Sequence, residues 1–213
     1  MIKRIAILGL LALNGWLLAS IVAPADAAIT FPVKWSPNVA ETYHIDDNVD
    51  SRWRDDIRAG MENFSDKAGG QAPRFDYGGI ETSSYDMNHP CVDGSTVFSV
   101  QNLGVVGLTT WCVNVSGGQE RIVGFDIALN RSEDWYADSG NPPATKYDIR
   151  SITTHEAGHA ASMYGHFDDG TSTCPIPRTS ATATMCPGNA AIRGTIWLRT
   201  LENADRNRID DAY

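Results

Sequence analysis

Apolar positions along the chain alternate with polar ones in two distinct rhythms. Glu41–Asp46 alternates as a short strand, and Arg74–Tyr77 (closed by Gly78-Gly79) and Thr96–Val100 are further strand candidates. Leu108–Val115 and Arg121–Asn130 flank a Ser-Gly-Gly-Gln turn and predict a hairpin. Between them the period lengthens. Trp53, Ile57, Met61, Phe64 and Ala68 recur every three or four residues, which predicts a helix capped by Asp50 or Ser51 and ending near Gly69-Gly70. Asp148 is placed to cap a second helix from Ile149 to about Tyr164. A loop rich in Thr, Ser, Pro and Gly comes next. Thr200 is then placed to cap a last helix with Leu201, Ala204, Ile209 and Ala212 on one side. No repeat and no linker divides the pattern, so the order of elements predicts one mixed α/β domain.

The start of the chain obeys a different rule. Lys3 and Arg4 precede an uncharged run from Ile5 to Val22, and Ala25-Asp26-Ala27 supplies the small residues of a cleavage site. This is the pattern of a secretory signal, which assigns 1–27 to a signal peptide and 28–213 to the exported domain. A retained anchor is the rival reading; Asn14 and Gly15 interrupt the run and weigh against it. Export gives the four cysteines a meaning. All lie beyond the cleavage site and none forms a C-x-x-C pair, so disulfides are expected rather than a Cys-rich metal site. Cys91–Cys112 and Cys174–Cys186 close the shortest loops.

Composition narrows the function. Of 213 residues, 42% are hydrophobic and 20% charged, which excludes a disordered or fibrous chain. The net charge of -9 excludes a nucleic-acid binder held by phosphate contacts. No second apolar run is long enough to span a membrane, so the expected product is a secreted monomer with no membrane partner.

His155-Glu156-Ala157-Gly158-His159 is an H-E-x-x-H motif inside the predicted helix. Residues four apart lie one turn apart on one helix face, so both imidazoles can reach one zinc ion. Glu156, beside a ligand but not itself one, is placed to act as general base toward a zinc-activated water. His166 is the expected third ligand. On a continuous helix it would sit about 10.5 Å beyond His159, so the helix must stop and the chain fold back, with Gly165 best able to permit the turn. Asp168 and Asp169 are rival ligands, and Glu202 a weaker one. His44 and His89 are expected to be ordinary polar residues.

HEAGHAASMYGH resembles the extended zinc motif of the metzincin metallopeptidases, H-E-x-x-H-x-x-G-x-x-H. Ala183-Thr184-Met185-Cys186-Pro187 resembles their Met-turn, in the form similar to the matrixin branch. Phe125–Asn130 together with Trp135, and Arg199–Glu202 through Tyr213, resemble the strand before the active-site helix and the closing helix after it. The resemblance spans most of 31–213 and is specific from about 121. It implies an α/β (α+β) catalytic domain with a mostly parallel five-stranded sheet, one antiparallel edge strand, three helices and a cleft over the zinc helix. It further implies an endopeptidase with one catalytic zinc and a polypeptide substrate that pairs in extended form with the strand near Leu108–Cys112. Thr109, Thr110 and Trp111 then either border the cleft or only pack. Two departures stand out: Ser162 replaces the motif glycine, and the spacing from His159 to His166 is seven residues rather than six. No propeptide is expected, and nothing in the sequence marks a calcium site. The competing reading is a secreted, non-catalytic zinc-containing binding module, which would need a fourth protein ligand such as Asp168.

Overall fold

The computed structural model describes residues 2–5, 33–83, 85, 91, 93–163, 165–167, 174, 179–186 and 193–213. Five strands, β2 (Ala40–Asp46), β3 (Arg74–Glu81), β4 (Ser95–Val100), β5 (Gly107–Ser116) and β6 (Gln119–Asn130), form the expected twisted sheet. Pairing is parallel between β2 and β3, β2 and β4, and β4 and β6, and antiparallel between β5 and β6. A first strand, β1 (Ile2–Ile5), adds a sixth member, giving the order β1-β5-β6-β4-β2-β3. It pairs antiparallel with Trp111–Asn114 of β5. These four residues belong to the stretch expected to be removed on export. With β1 present, four of the ten residues of β5 are covered on that edge, and no described strand pairs with the outer edge of Gly107–Thr110.

Helices α1 (Arg54–Lys67) and α2 (Ile149–Ala160) pack on the sheet and on each other, and α3 (Asn203–Ala212) closes the chain. The expected apolar stripe of α1 is the buried one: Ile57, Met61 and Phe64 are fully covered. Phe64 stacks on Phe75 of β3, and Phe75 meets Phe125 of β6 edge to face, so helix and sheet share one aromatic core. Two short strands, β7 (Trp135–Tyr136) and β8 (Tyr147–Asp148), lead into α2.

Several element ends differ from expectation, each for a local reason. Neither Asp50 nor Ser51 caps α1, whose N-cap is Trp53 without a side-chain bond; the Asp50 carboxylate instead binds Arg52. β3 continues through Gly78-Gly79 to Glu81, because a register shift opposite Tyr43/His44 absorbs the irregularity. α2 stops at Ala160, short of Tyr164, which lies outside the described residues. α3 is capped by Glu202 rather than Thr200. Glu202 and Asp205 form a reciprocal capping box, each side chain accepting from the other end's backbone N–H. Cys91 is bonded to Cys112 and Cys174 to Cys186, the expected connectivity.

Candidate metal centre

Asp148 starts the helix that carries the site. Its Oδ2 accepts from the Ser151 N–H at 2.8 Å, the expected N-cap, and Arg199 binds both its carboxylate oxygens, at 2.6 and 2.9 Å. The other end is closed by aromatic donors from three distant segments. The indoles of Trp111 and Trp35 donate to the His159 and Ala160 carbonyls at 2.7 and 2.8 Å, and the Tyr213 hydroxyl donates to Ala161 at 3.0 Å. Carbonyls that a helix end leaves orphaned are thus satisfied inside the protein.

The chain then reverses within a few residues. Ser162 N–H donates to His159 O at 2.9 Å and Met163 N–H to Gly158 O at 3.0 Å, the paired bonds of a Schellman motif. The left-handed residue of that motif is Ser162, at φ 73°, with Gly165 at φ 69° forming a second left-handed step. The serine that departs from the family motif therefore keeps the backbone shape a glycine adopts freely. Its fully buried hydroxyl donates to the Val33 carbonyl.

This reversal brings His166 back over α2. Its Nε2 lies 3.1 Å from His155 Nε2 and 3.3 Å from His159 Nε2. Ligands held tetrahedrally at the Zn–N distance of 2.0–2.1 Å stand about 3.3 Å apart, so the three imidazoles fit one ion. His155 Nδ1 lies 2.6 Å from Thr184 O and His159 Nδ1 lies 2.8 Å from Met163 O. A carbonyl only accepts, so both Nδ1 atoms carry the proton and both Nε2 lone pairs point inward. Burial, reinforced by neighbouring imidazoles, holds His155 and His159 down at about 3 and His166 at about 4, so all three are neutral near pH 7. Two inward Nε2 lone pairs and the Nε2 of a third neutral imidazole converge in a group that could hold a metal ion.

Met185 is fully buried beneath the helix. A Cβ on Gly158 would collide with the Met185 sulfur, so this close approach requires glycine. The turn is held from α3: Asp205, fully buried, accepts from Thr184 N–H at 2.8 Å, Met185 N–H at 3.0 Å and Glu202 N–H at 2.9 Å. Thr184 O in turn accepts from His155 Nδ1–H, which links α3 to the histidine triad through one turn. The Cys174–Cys186 disulfide sits at the same place, packed with Ala183.

Glu156 is 5% exposed, and burial raises its carboxyl to about 7 against a hydrogen bond from Thr109 that lowers it. Among the rivals, Glu202 is used in the α3 capping box and takes no part in the triad. Asp168, Asp169 and His89 lie outside the described residues, as does Pro187. His44 sits on β2, 3.4 Å from Glu81. The bonds of Asp205 to the turn and the contact of Thr109 with Glu156 escape a reading of the sequence, which places Thr184 only in the stretch around Met185 and Thr109 only beside the cleft. No protein-family model and no curated protein matches the chain.

Proposed function

We propose that the protein is a secreted zinc-dependent endopeptidase of metzincin type, nearest the matrixin branch. One observation carries the reading: the Nε2 atoms of three neutral imidazoles converge, two of them on the helix that also carries the buried Glu156 carboxylate. The two disulfides agree with an oxidising compartment, and no helix among the described residues is long and apolar enough to cross a membrane.

His155, His159 and His166 would hold the ion. Zinc bound there supplies Lewis acidity, lowering the pKa of a water and polarising a carbonyl. Glu156 takes the proton of the attacking water and delivers it to the leaving amine. Burial raises this carboxyl above the usual carboxylate range in the metal-free site, which makes it a stronger base than a solvent-exposed glutamate. Trp111, Trp35 and the Met-turn fix the helix that carries these groups. A polypeptide substrate lies extended along the uncovered edge of Gly107–Thr110, where backbone N–H and C=O groups are available for strand pairing.

Casein hydrolysis by the exported protein and by Glu156→Gln tests this. The variant is expected to keep one zinc per chain and to lose on the order of 10²–10⁴ in turnover. Wild-type turnover in Glu156→Gln would overturn the role of the glutamate. Absence of cleavage by the wild type across a broad peptide library would overturn the peptidase reading.

A further inference from the structure

Gly107 and Thr109 are two residues apart on β5 and face the same side of the sheet. That side meets α2. Thr109 Oγ1 lies 2.7 Å from Glu156 Oε2 and 3.1 Å from the Glu156 main-chain oxygen. A hydroxyl has one proton, and the shorter, charge-assisted contact takes it when the carboxylate is ionised. Thr109 is 6% exposed, so water does not compete for the bond. At Gly107 the contact is steric. A Cβ there would stand 2.6 Å from Glu156 Oε1, 3.0 Å from Cδ and 3.1 Å from Cγ. One carboxylate oxygen is therefore held by a donor, and the other occupies space that only glycine leaves open. A glutamate side chain without such neighbours samples several rotamers.

We propose that Thr109 is the positioning residue for Glu156 and that Gly107 provides the clearance this position needs. The inference rests on the peptidase reading and extends it. The same four residues whose outer backbone edge is uncovered carry, on their side-chain face, the groups that locate the base. A substrate paired with Gly107–Thr110 is then aligned to the glutamate by a single strand, with no flexible loop between them.

The test uses Thr109→Val, Thr109→Ser and Gly107→Ala in the exported protein. Thr109→Val keeps the shape and removes the donor. It is expected to lower kcat by about tenfold or more, with KM within about twofold of wild type. Zinc content stays at the wild-type value, and the protein stays folded with Tm lowered by the loss of one buried hydrogen bond. Thr109→Ser restores the donor and most of kcat. Gly107→Ala lowers kcat on the order of 100-fold by displacing the carboxylate. Wild-type kcat in Thr109→Val, or no rescue by Thr109→Ser, overturns the proposal. Crystal structures of the three variants give a readout independent of turnover. The Glu156 carboxylate leaves its position in Thr109→Val and Gly107→Ala and keeps it in Thr109→Ser; an unmoved carboxylate in the first two also overturns the proposal. If the wild type cleaves no polypeptide while the crystal structures behave as expected, the peptidase reading fails and the positioning role stands.

Discussion

Ser162 concentrates several competing effects in one side chain. A left-handed conformation costs a residue with a Cβ roughly 1–2 kcal/mol. The hydroxyl offsets this by donating to the Val33 carbonyl, a bond that contributes about 0.5–1.5 kcal/mol and leaves no buried acceptor bare. The two substitutions separate these terms. Ser162→Gly loses the bond and relieves the strain; Ser162→Ala loses the bond and keeps the strain. Urea unfolding is expected to find the alanine variant less stable than the glycine variant by about 1 kcal/mol. The reverse order would show that Ser162 carries no strain. The same residue shows how a serine can stand where a glycine would turn the chain freely, since the Schellman bonds depend on backbone shape and not on side-chain identity.

At the scale of elements, α2 is placed by polar contacts at both ends and apolar packing between. At its start, Asp148 is 1% exposed on its side chain and bound by Arg199, whose guanidinium also donates to the Asp138, Ser139 and Gly140 carbonyls. This ties the short 3-10 turn Trp197–Arg199 and the β7–β8 connection to the helix N-terminus. Arg199→Ala leaves a buried carboxylate without its cation and is expected to destabilise the protein by about 3–5 kcal/mol. Arg52→Ala removes an equally short ion pair, with Asp50, that lies in solvent, and should leave Tm unchanged. Thermal unfolding of the two variants checks the contrast; equal losses would mean that burial does not set the worth of these pairs. The element pattern was largely legible. Asp148 capped α2 as expected because an N-cap is a local bond. Ends set by remote partners were not legible. Where α2 stops depends on Trp35, Trp111 and Tyr213, none of which neighbours it in sequence.

Across the whole molecule, the three imidazoles couple metal binding to stability. In metal-free protein their pKa values lie below the ordinary 6.5, at about 3, 3 and 4. The unfolded chain takes up protons below pH 6.5 that the folded chain refuses. Their contribution is complete above pH 6.5 and is lost as pH falls toward 3. Glu156, raised from 4.5 to about 7, runs the other way: its contribution is present below pH 4.5 and lost as pH rises through 7. Comparison with His166→Asn in chelator leaves the Glu156 contribution common to both proteins and removes His166 together with its repulsion on His155. Between pH 6.5 and 4, wild type is expected to lose more stability than the variant; parallel curves would refute the depressed pKa. Added zinc should raise the wild-type Tm at pH 7, by linkage, and barely move that of the variant.

Sequence alone determined the features that arise from short-range periodicity and spacing. The strands β2, β4, β5 and β6, the buried stripe of α1, the Asp148 cap and the pairing of His155 with His159 on one turn all depend on residues within a few positions of each other. The need for the chain to reverse before His166 was equally determined, because helix rise is fixed. Tertiary structure decided how the reversal is made, with Ser162 rather than Gly165 taking its first left-handed step. It decided too that Thr109 touches the glutamate while Trp111 closes the helix, although the two are near neighbours on one strand. Those contacts join residues 47 and 48 positions apart, and they exist only once β5 lies against α2. Periodicity shows which face of an element is buried, whereas the partner met there is set by the packing of the whole sheet.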